Sequence, residues 1–298
     1  MKKVLITGGS GMLGSYAATQ AVARGWEVMA TYSAHQVEIP GCTMVQADIR
    51  NLADISQVIE SFRPEVVINT AAIVKPDLCE QRKSDGFAVN VLGTQNVIAA
   101  TERVGAHLTH ISTDLVFNGE HGPHLPDASP SPVNYYGMTK VAAEAAIMAA
   151  RVSCAVVRTS IIFGPRRFPH LESFSDKVIE SLSAGKPMAA YVDQYRPAVP
   201  AWNLADAVLE IADRRLTGVF HVVCPELTTR YQFARRIAQV FELDGSLIEP
   251  IYMDASQLGA RRPKLLALDT VSTARTLRTP LLTFAEGIRE LKKRMNWG

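Results

Sequence analysis

Several things the chain has little of narrow its class. Its 298 residues include four cysteines, Cys42, Cys79, Cys154 and Cys224, and no two of them form a C-x-x-C pair. That scatter speaks against a zinc knuckle or a disulfide framework and suits a reducing compartment. No apolar stretch approaches the ~18 residues of a membrane span. The opening "MKKVLITGGSG" has only three apolar residues between its lysines and its polar glycine run, too few for a signal peptide. A soluble, cytoplasmic protein is expected. Excess charge of one sign is also lacking: 31 basic residues against 29 acidic ones leave a formal net charge of +2. Such a balance provides no field to attract nucleic acid or a membrane surface, so neither is expected as a partner. The histidines give no metal site by spacing. "HGPH", His121 to His124, lies in a Pro/Gly loop without a nearby third ligand, and His107 and His110 fall inside a strand, where packing or hydrogen bonding is expected.

A hydrophobic content of 47% is enough for a large core and fits one large domain or two unequal ones. From Lys2 to about Thr159, short β-branched runs alternate with helical stretches. "KVLIT", "EVMAT", "TMVQA", "EVVINTAA", "HLTHIS" and "CAVVRTS" read as strands; Gly11 to Ala23, Asp54 to Phe62, Ala88 to Val104 and Asn134 to Ala150 read as helices. Strand followed by helix, repeated, predicts an α/β fold with a doubly wound parallel sheet covered on both faces. After Gly164 the rhythm loosens into helices near Ser173 to Ala184, Leu204 to Asp213, Tyr231 to Phe241 and Phe284 to Arg294. A loop, "VDQYRPAVPAW", and a strand, "GVFHVV", lie among them. The expected division is a dinucleotide-binding domain over residues 1–164 and a smaller substrate-binding region over 165–298, interleaved with the first and packed on it. The groove between them is the expected site.

"TGGSGMLG" follows the first strand directly and opens the first helix. Gly8, Gly11 and Gly14, three apart, permit a tight turn, close approach of backbone to a pyrophosphate, and close packing of helix on strand. Ser10, Met12 and Leu13 complete this turn and the start of the helix, whose free N–H groups favour an anion. In an NAD site an acid about 20 residues further on binds the adenosine ribose. Thr31, Tyr32 and Ser33 stand at the end of the second strand instead, which favours NADP(H) over NAD(H). In "ADIRN", Asp48 suits the adenine amino group and Ile49 the ring face, although Asp48 could equally cap the next turn. In "YYGMTK", Tyr136 and Lys140 share a helix face while Tyr135 points elsewhere. A neighbouring ammonium favours phenolate, so this spacing suits a phenol that gives up its proton. Arg166 with Arg167, Arg196, and Arg261–Arg262 with Lys264 could clamp a pyrophosphate, guanidinium being bidentate toward phosphate; solvated surface arginines are the competing explanation.

Together "TGGSGMLG", "VVINTAA", "FAVNVLGT", "ISTDLVFNG", "NYYGMTKVAAE", "VVRTSIIFG", "DQYRPAVP" and "RRPKLLALD" resemble the extended short-chain dehydrogenase/reductase family, and within it the dTDP-4-dehydrorhamnose reductase branch, over nearly the whole chain. The resemblance implies a Rossmann-like fold and hydride transfer from reduced nicotinamide to the ketone of a nucleotide-linked 4-keto-6-deoxysugar. It implies that Tyr136 protonates the developing alkoxide and that Lys140 lowers the Tyr136 pKa and bonds the nicotinamide ribose. Thr113 would donate to the carbonyl oxygen, with Ser112 as the fallback. Asn90 would help hold the site, and Asn69, Ala71 and Ala72 would form the turn beside the cofactor. A homodimer is compatible with the resemblance. One departure concerns the substrate: Arg196 stands where the branch has glycine, and Ala198–Val199 where it has Pro-Thr. An epimerase or dehydratase on the same fold, or a regulatory subunit that keeps the fold only for binding, stays open.

Overall fold

The computed structural model describes residues 1–253 and 259–297. Its first half runs β1 (Lys3–Thr7), α1 (Met12–Ala23), β2 (Glu27–Tyr32), β3 (Cys42–Gln46), α2 (Leu52–Phe62), β4 (Val66–Asn69), α3 (Pro76–Gln81) and α4 (Lys83–Phe87). A π-helical turn (Ala88–Gly93) leads into α5 (Thr94–Val104), followed by β5 (His107–Thr113), a 3₁₀ turn (Asp114–Val116), α6 (Tyr135–Met148) and β6 (Cys154–Thr159). The remainder comprises β7 (Ile161–Phe163), α7 (Phe174–Ser183), β8 (Met188–Tyr191), β9 (Tyr195–Pro200), α8 (Ala201–Asp213), β10 (Gly218–His221), β11 (Leu227–Thr229), α9 (Arg230–Phe241), β12 (Ile248–Ile251), α10 (Val271–Thr276) and α11 (Phe284–Arg294). No helix among the described residues is long and apolar enough to cross a membrane.

Seven strands form one parallel sheet in the order β3-β2-β1-β4-β5-β6-β10. The strands are apolar on both sides because both sides are covered. Val4 and Ile6 of β1, Val66 and Ile68 of β4 and Ala155 and Val157 of β6 join the core under α1 and α8. The residues between them, Leu5, Val67 and Val156, face Ile55 and Ile59 of α2, Val97 of α5 and Ile147 of α6. Each such fully buried aliphatic side chain contributes ~1.5–3 kcal/mol. The chain builds outward from β1 to β3, then returns to the other side of β1 for β4. That reversal opens a crevice at the carboxyl ends of β1 and β4.

The later part of the chain is woven into this sheet: α8 packs beside α1, and β10 pairs with β6 at the sheet edge. Two expectations change. The stretch "VDQYRPAVPAW" is not a loop, since its middle forms β9, which pairs in parallel with β7 and antiparallel with β11. Strand partners so remote in sequence leave no local periodicity to read. The helix expected from Ala88 begins as a π-helical turn, and only from Thr94 is it α-helical.

The caps set the helix positions. Asn51, Asn134, Ser173, Thr229 and Thr283 each accept a backbone N–H of the helix they precede. Asn134 also donates to the Arg261 carbonyl at 2.9 Å, tying the start of α6 to the late chain. Farther along, α6 is fixed by a buried ion pair: Arg158 of β6 donates from Nη2 to Glu144 at 2.8 Å and from Nε at 3.1 Å. Ser112 of β5 donates to the same carboxylate, and Arg158 Nη1 reaches the Pro126 carbonyl at 3.1 Å. Both charged side chains are buried, so removing one partner strands the other. Arg158→Met is therefore expected to lower stability by ~3–5 kcal/mol, measured by urea denaturation. A loss below ~1 kcal/mol would show that the pair does not hold α6 in place.

Candidate functional site

The crevice beside β1 is a cleft of about 350 Å³ whose lining includes Gly8, Ser10, Gly11, Thr31, Ser33, Asp48, Ile49, Arg50, Ala71, Ala72 and Val89. Its floor is backbone. Gly8 has φ +73°, and a Cβ there would lie 2.9 Å from the Ala71 nitrogen; at Gly14 a Cβ would meet the Gly8 carbonyl oxygen at 2.3 Å. The turn thus packs directly on neighbouring backbone, at positions where a side chain would clash. α1 begins at Gly11 with no side-chain cap, unlike the helices that carry Asn, Ser or Thr there. Leu13 is buried in the core and Met12 packs against it, so their backbone N–H groups are what this helix start offers an anion. Gly9 N–H donates to the Thr31 carbonyl at 2.7 Å, fixing the turn against β2. These features fit a dinucleotide, with the pyrophosphate at the turn and the adenosine toward Asp48, Ile49 and Thr31.

Asp48 is held by Arg50, whose Nε lies 2.9 Å from Oδ2, and that guanidinium lowers the Asp48 pKa. No arginine stands at the end of β2, but Arg50, two residues after Asp48 in "ADIRN", reaches the cleft from beyond β3. Asn90 bridges rather than faces the cleft. Its side chain accepts from the Ile73 N–H at 2.9 Å and donates to the Ile73 carbonyl at 3.1 Å and to Thr139 Oγ1 at 3.0 Å. It therefore pins the segment after Ala71 and Ala72 to α6.

Tyr136 and Lys140 lie one turn apart on the buried face of α6, 6% and 2% exposed. Tyr135 points outward, its N–H donating to Glu80 and its ring lying under Lys83. The Thr113 side chain, at the end of β5, lies beside the Tyr136 phenol and lowers its pKa; its hydroxyl donates to Asp114 Oδ1 at 3.1 Å and accepts from the Leu115 N–H at 3.2 Å. Ser112, on the opposite side of the strand, is committed to Glu144. Burial, then the nearby Asp114 carboxylate, push the Tyr136 pKa upward, while Thr113 and Arg196 pull it down. Lys140, expected to lower it, is held by the sheet. Lys140 Nζ is engaged by the Ile111 carbonyl at 2.7 Å and His110 Nε2 at 2.9 Å, and burial brings the Lys140 pKa down to about 8.

A second group of charges lies beside the phenol. Asp114 is fully buried; Arg196 grips it through Nε at 2.8 Å and through Nη2, and Ser160 also donates to it. Arg230 and Arg262 stand close enough to Arg196 for their charges to repel. Arg262 is paired with Asp77 at 2.7 Å. Arg230 rests over the Phe174 ring with Nε 3.4 Å from Gln194, and burial and Arg196 bring its pKa down to about 9. Arg166 lies elsewhere, bound to Glu180 of α7 at 2.6 Å, while Arg167 donates to Thr19 of α1. The structure thus brings Arg196 and Arg262 together and adds Asp114 and Arg230. Asp114 could have been suspected because it directly follows Thr113; Arg230 had no local signal.

A doubly wound sheet with a glycine turn after β1 and a Thr-Tyr-Lys group between β5 and α6 defines the extended short-chain dehydrogenase/reductase class, a class of NAD(P)-dependent reductases and epimerases. Within that class the chain belongs to the family described as the RmlD substrate binding domain, whose model matches residues 1–296. It is 30% identical to methionine adenosyltransferase 2 subunit beta of Mus musculus over 97% of this chain and 86% of that protein. It is 29% identical to the probable low-salt glycan biosynthesis reductase Agl14 of Haloferax volcanii, over 89% of this chain and 88% of that one. Its fold superposes with a TM-score of 0.84 on a hypothetical dTDP-4-dehydrorhamnose reductase from Sulfolobus tokodaii, at 30% identity over 96% of this chain and 99% of that one.

Gly14→Ala tests the cradle. The added methyl has to displace backbone at a cost of ~1–3 kcal/mol. Nicotinamide dinucleotide affinity, followed by fluorescence titration, is expected to fall about tenfold or more. Unchanged affinity would place the cofactor elsewhere.

Proposed function

We propose that the protein reduces the ketone of a nucleotide-linked 4-keto-6-deoxysugar at the expense of NADPH. Bound reduced nicotinamide supplies the hydride. The observation that carries the proposal is the buried Tyr136 phenol, its pKa held above the ordinary value by burial and Asp114, with Thr113 beside it. A phenol in that state keeps its proton at working pH and can surrender it to an alkoxide, which is far more basic. Thr113 orients the carbonyl oxygen. Below about pH 8 Lys140 is an ammonium, suited to hold a ribose hydroxyl. Residues 165–298 furnish most of the substrate side. Arg196, Arg230 and Arg262 face the two carboxylates Asp114 and Asp77, which leaves an excess positive charge suited to a diphosphate. NADP(H) is favoured because the end of β2, Thr31 to Ser33, carries no carboxylate, and Arg50, paired with Asp48, lies at the same end of the cleft.

The likeness to a methionine adenosyltransferase subunit supports a second reading, a subunit that binds the dinucleotide without turnover. Steady-state kinetics with a panel of nucleotide-linked keto sugars separate the two. Under the first reading NADPH is consumed in step with substrate. Tyr136→Phe lowers turnover by ~10²-fold or more, Tyr135→Phe does much less, and Lys140→Met weakens both turnover and cofactor binding. No consumption with any keto sugar would leave the binding subunit, and near-normal turnover in Tyr136→Phe would overturn the role given to the phenol. Titration with both cofactors is expected to show NADPH binding at least as tightly as NADH. A tenfold advantage for NADH, ~1.4 kcal/mol, would overturn the cofactor preference.

A further inference from the structure

Behind Lys140 lies a chain of buried polar side chains that none of the roles above uses. Lys140 Nζ stands 2.9 Å from His110 Nε2, and His110 Nδ1 stands 3.2 Å from the Asn69 carboxamide. The other end of that carboxamide is 2.6 Å from the Thr7 hydroxyl. Thr7, Asn69 and His110 are within 1% of complete burial, so water does not substitute for any link. The chain crosses three neighbouring strands, from β1 through β4 to β5, and ends at α6.

This geometry restricts the protons. An ammonium only donates, so toward charged Lys140 His110 has to present a bare Nε2 and carry its proton on Nδ1. Asn69 then turns its oxygen to Nδ1 and its NH₂ to Thr7, a half-turn of the amide that keeps these two contacts and gives up the longer one, 3.4 Å, from its NH₂ to Thr94 Oγ1. With the opposite tautomer, Nε2–H would point at Nζ, which only a neutral amine could accept. A doubly protonated His110 is opposed by burial and by the Lys140 charge, which hold its pKa well below the ordinary value.

We infer that His110 is a positioning residue for Lys140: held by Asn69 in the tautomer that bares Nε2, it accepts from the ammonium and keeps the lysine charged, with one N–H free for a cofactor hydroxyl. The use of that N–H rests on the cofactor role proposed above; the tautomer does not. Three donors are available at Nζ, and the Ile111 carbonyl and His110 occupy two. Other charges around Lys140 are already matched. Glu144 of its own helix favours the ammonium but is shared with Arg158 of β6, and Asp114 in the turn after β5 is gripped by Arg196. Glu80 of α3 and Lys83 of α4 meet at Tyr135, and the π-helical turn presents the uncharged Asn90. Tyr136, at the outer end of the same face, keeps its proton. His110 is the acceptor whose loss leaves the ammonium least compensated.

Two measurements test this. In the unsubstituted protein, ¹⁵N spectra of labelled histidine are expected to show His110 neutral, with Nδ1 protonated and Nε2 bare, below the Lys140 transition. The reverse tautomer would overturn the inference, and this readout requires neither substrate nor turnover. In variants, dinucleotide affinity is followed against pH. The ammonium favours binding, so affinity declines as pH rises through about 8. In His110→Phe the lost acceptor is expected to move that midpoint down by about one pH unit. His110→Gln, whose side-chain oxygen can accept near the Nε2 position, should restore most of the shift. His107→Phe, in the same strand but bonded to Ser153, should leave the midpoint in place. An unmoved midpoint in folded His110→Phe, or an equal shift in His107→Phe, would overturn the inference. If no keto sugar is reduced while the tautomer and midpoint behave as described, the functional reading fails and the role of His110 stands.

Discussion

The site depends on how one helix is pinned to the sheet. The Glu144–Arg158 pair holds α6 against β5 and β6 from within the core, where its two charges have no access to water. Tyr136, Lys140 and Glu144 follow one another at four-residue steps, so the face that carries the pair also carries the phenol and the ammonium. Fixing Glu144 places Lys140 on the end of β5 and Tyr136 beside Thr113. Asn134 and Asn90 fix the outer end of the same helix, one through the late chain and the other through the segment after β4. The chemistry occupies a position over-determined by three independent attachments.

The two sides of the cleft are built from different materials. The cofactor side is chiefly backbone: glycines packed to within contact of neighbouring carbonyl and amide groups, and an uncapped helix start. The substrate side is built from charge. Arg196, where the reductase branch has glycine, closes on the buried Asp114 beside the Tyr136 phenol. Asp114 raises the Tyr136 pKa and Arg196 lowers it, so this single pair tunes the phenol. The difference from the reductase pattern falls there, at the side that decides what is bound, and leaves the cofactor turn intact. That division is in keeping with a family whose members here include both a reductase of glycan biosynthesis and a subunit of an adenosyltransferase.

Much was legible from sequence alone because it depended on local rules. The strands of the parallel sheet from β1 to β6 are short β-branched runs; the glycine turn was fixed by steric demands within eight residues; Tyr136 and Lys140 were separated from Tyr135 by helix periodicity. Thr113 is preferred to Ser112 on the resemblance to the reductase branch, and the structure sends Ser112 to Glu144. What escaped sequence reading involves partners distant in the chain. The β9 stretch reads as a loop because its pairing with β7 and β11 leaves no local pattern, and Arg230 enters the site from a segment that sequence spacing does not connect to it.

The sequence by itself determined the alternation of strand and helix from β1 to β6, the glycine turn after β1 and the shared helix face of Tyr136 and Lys140, since each follows from steric or periodic constraints acting over a few residues. Only the tertiary structure decided the electrostatic state of those residues. Tyr136 is shifted upward by burial and Asp114, Lys140 meets His110, and Arg196 acquires a buried counter-ion. A pKa or an ion pair depends on which charges converge from distant elements and on how much water they exclude, and spacing along the chain encodes neither.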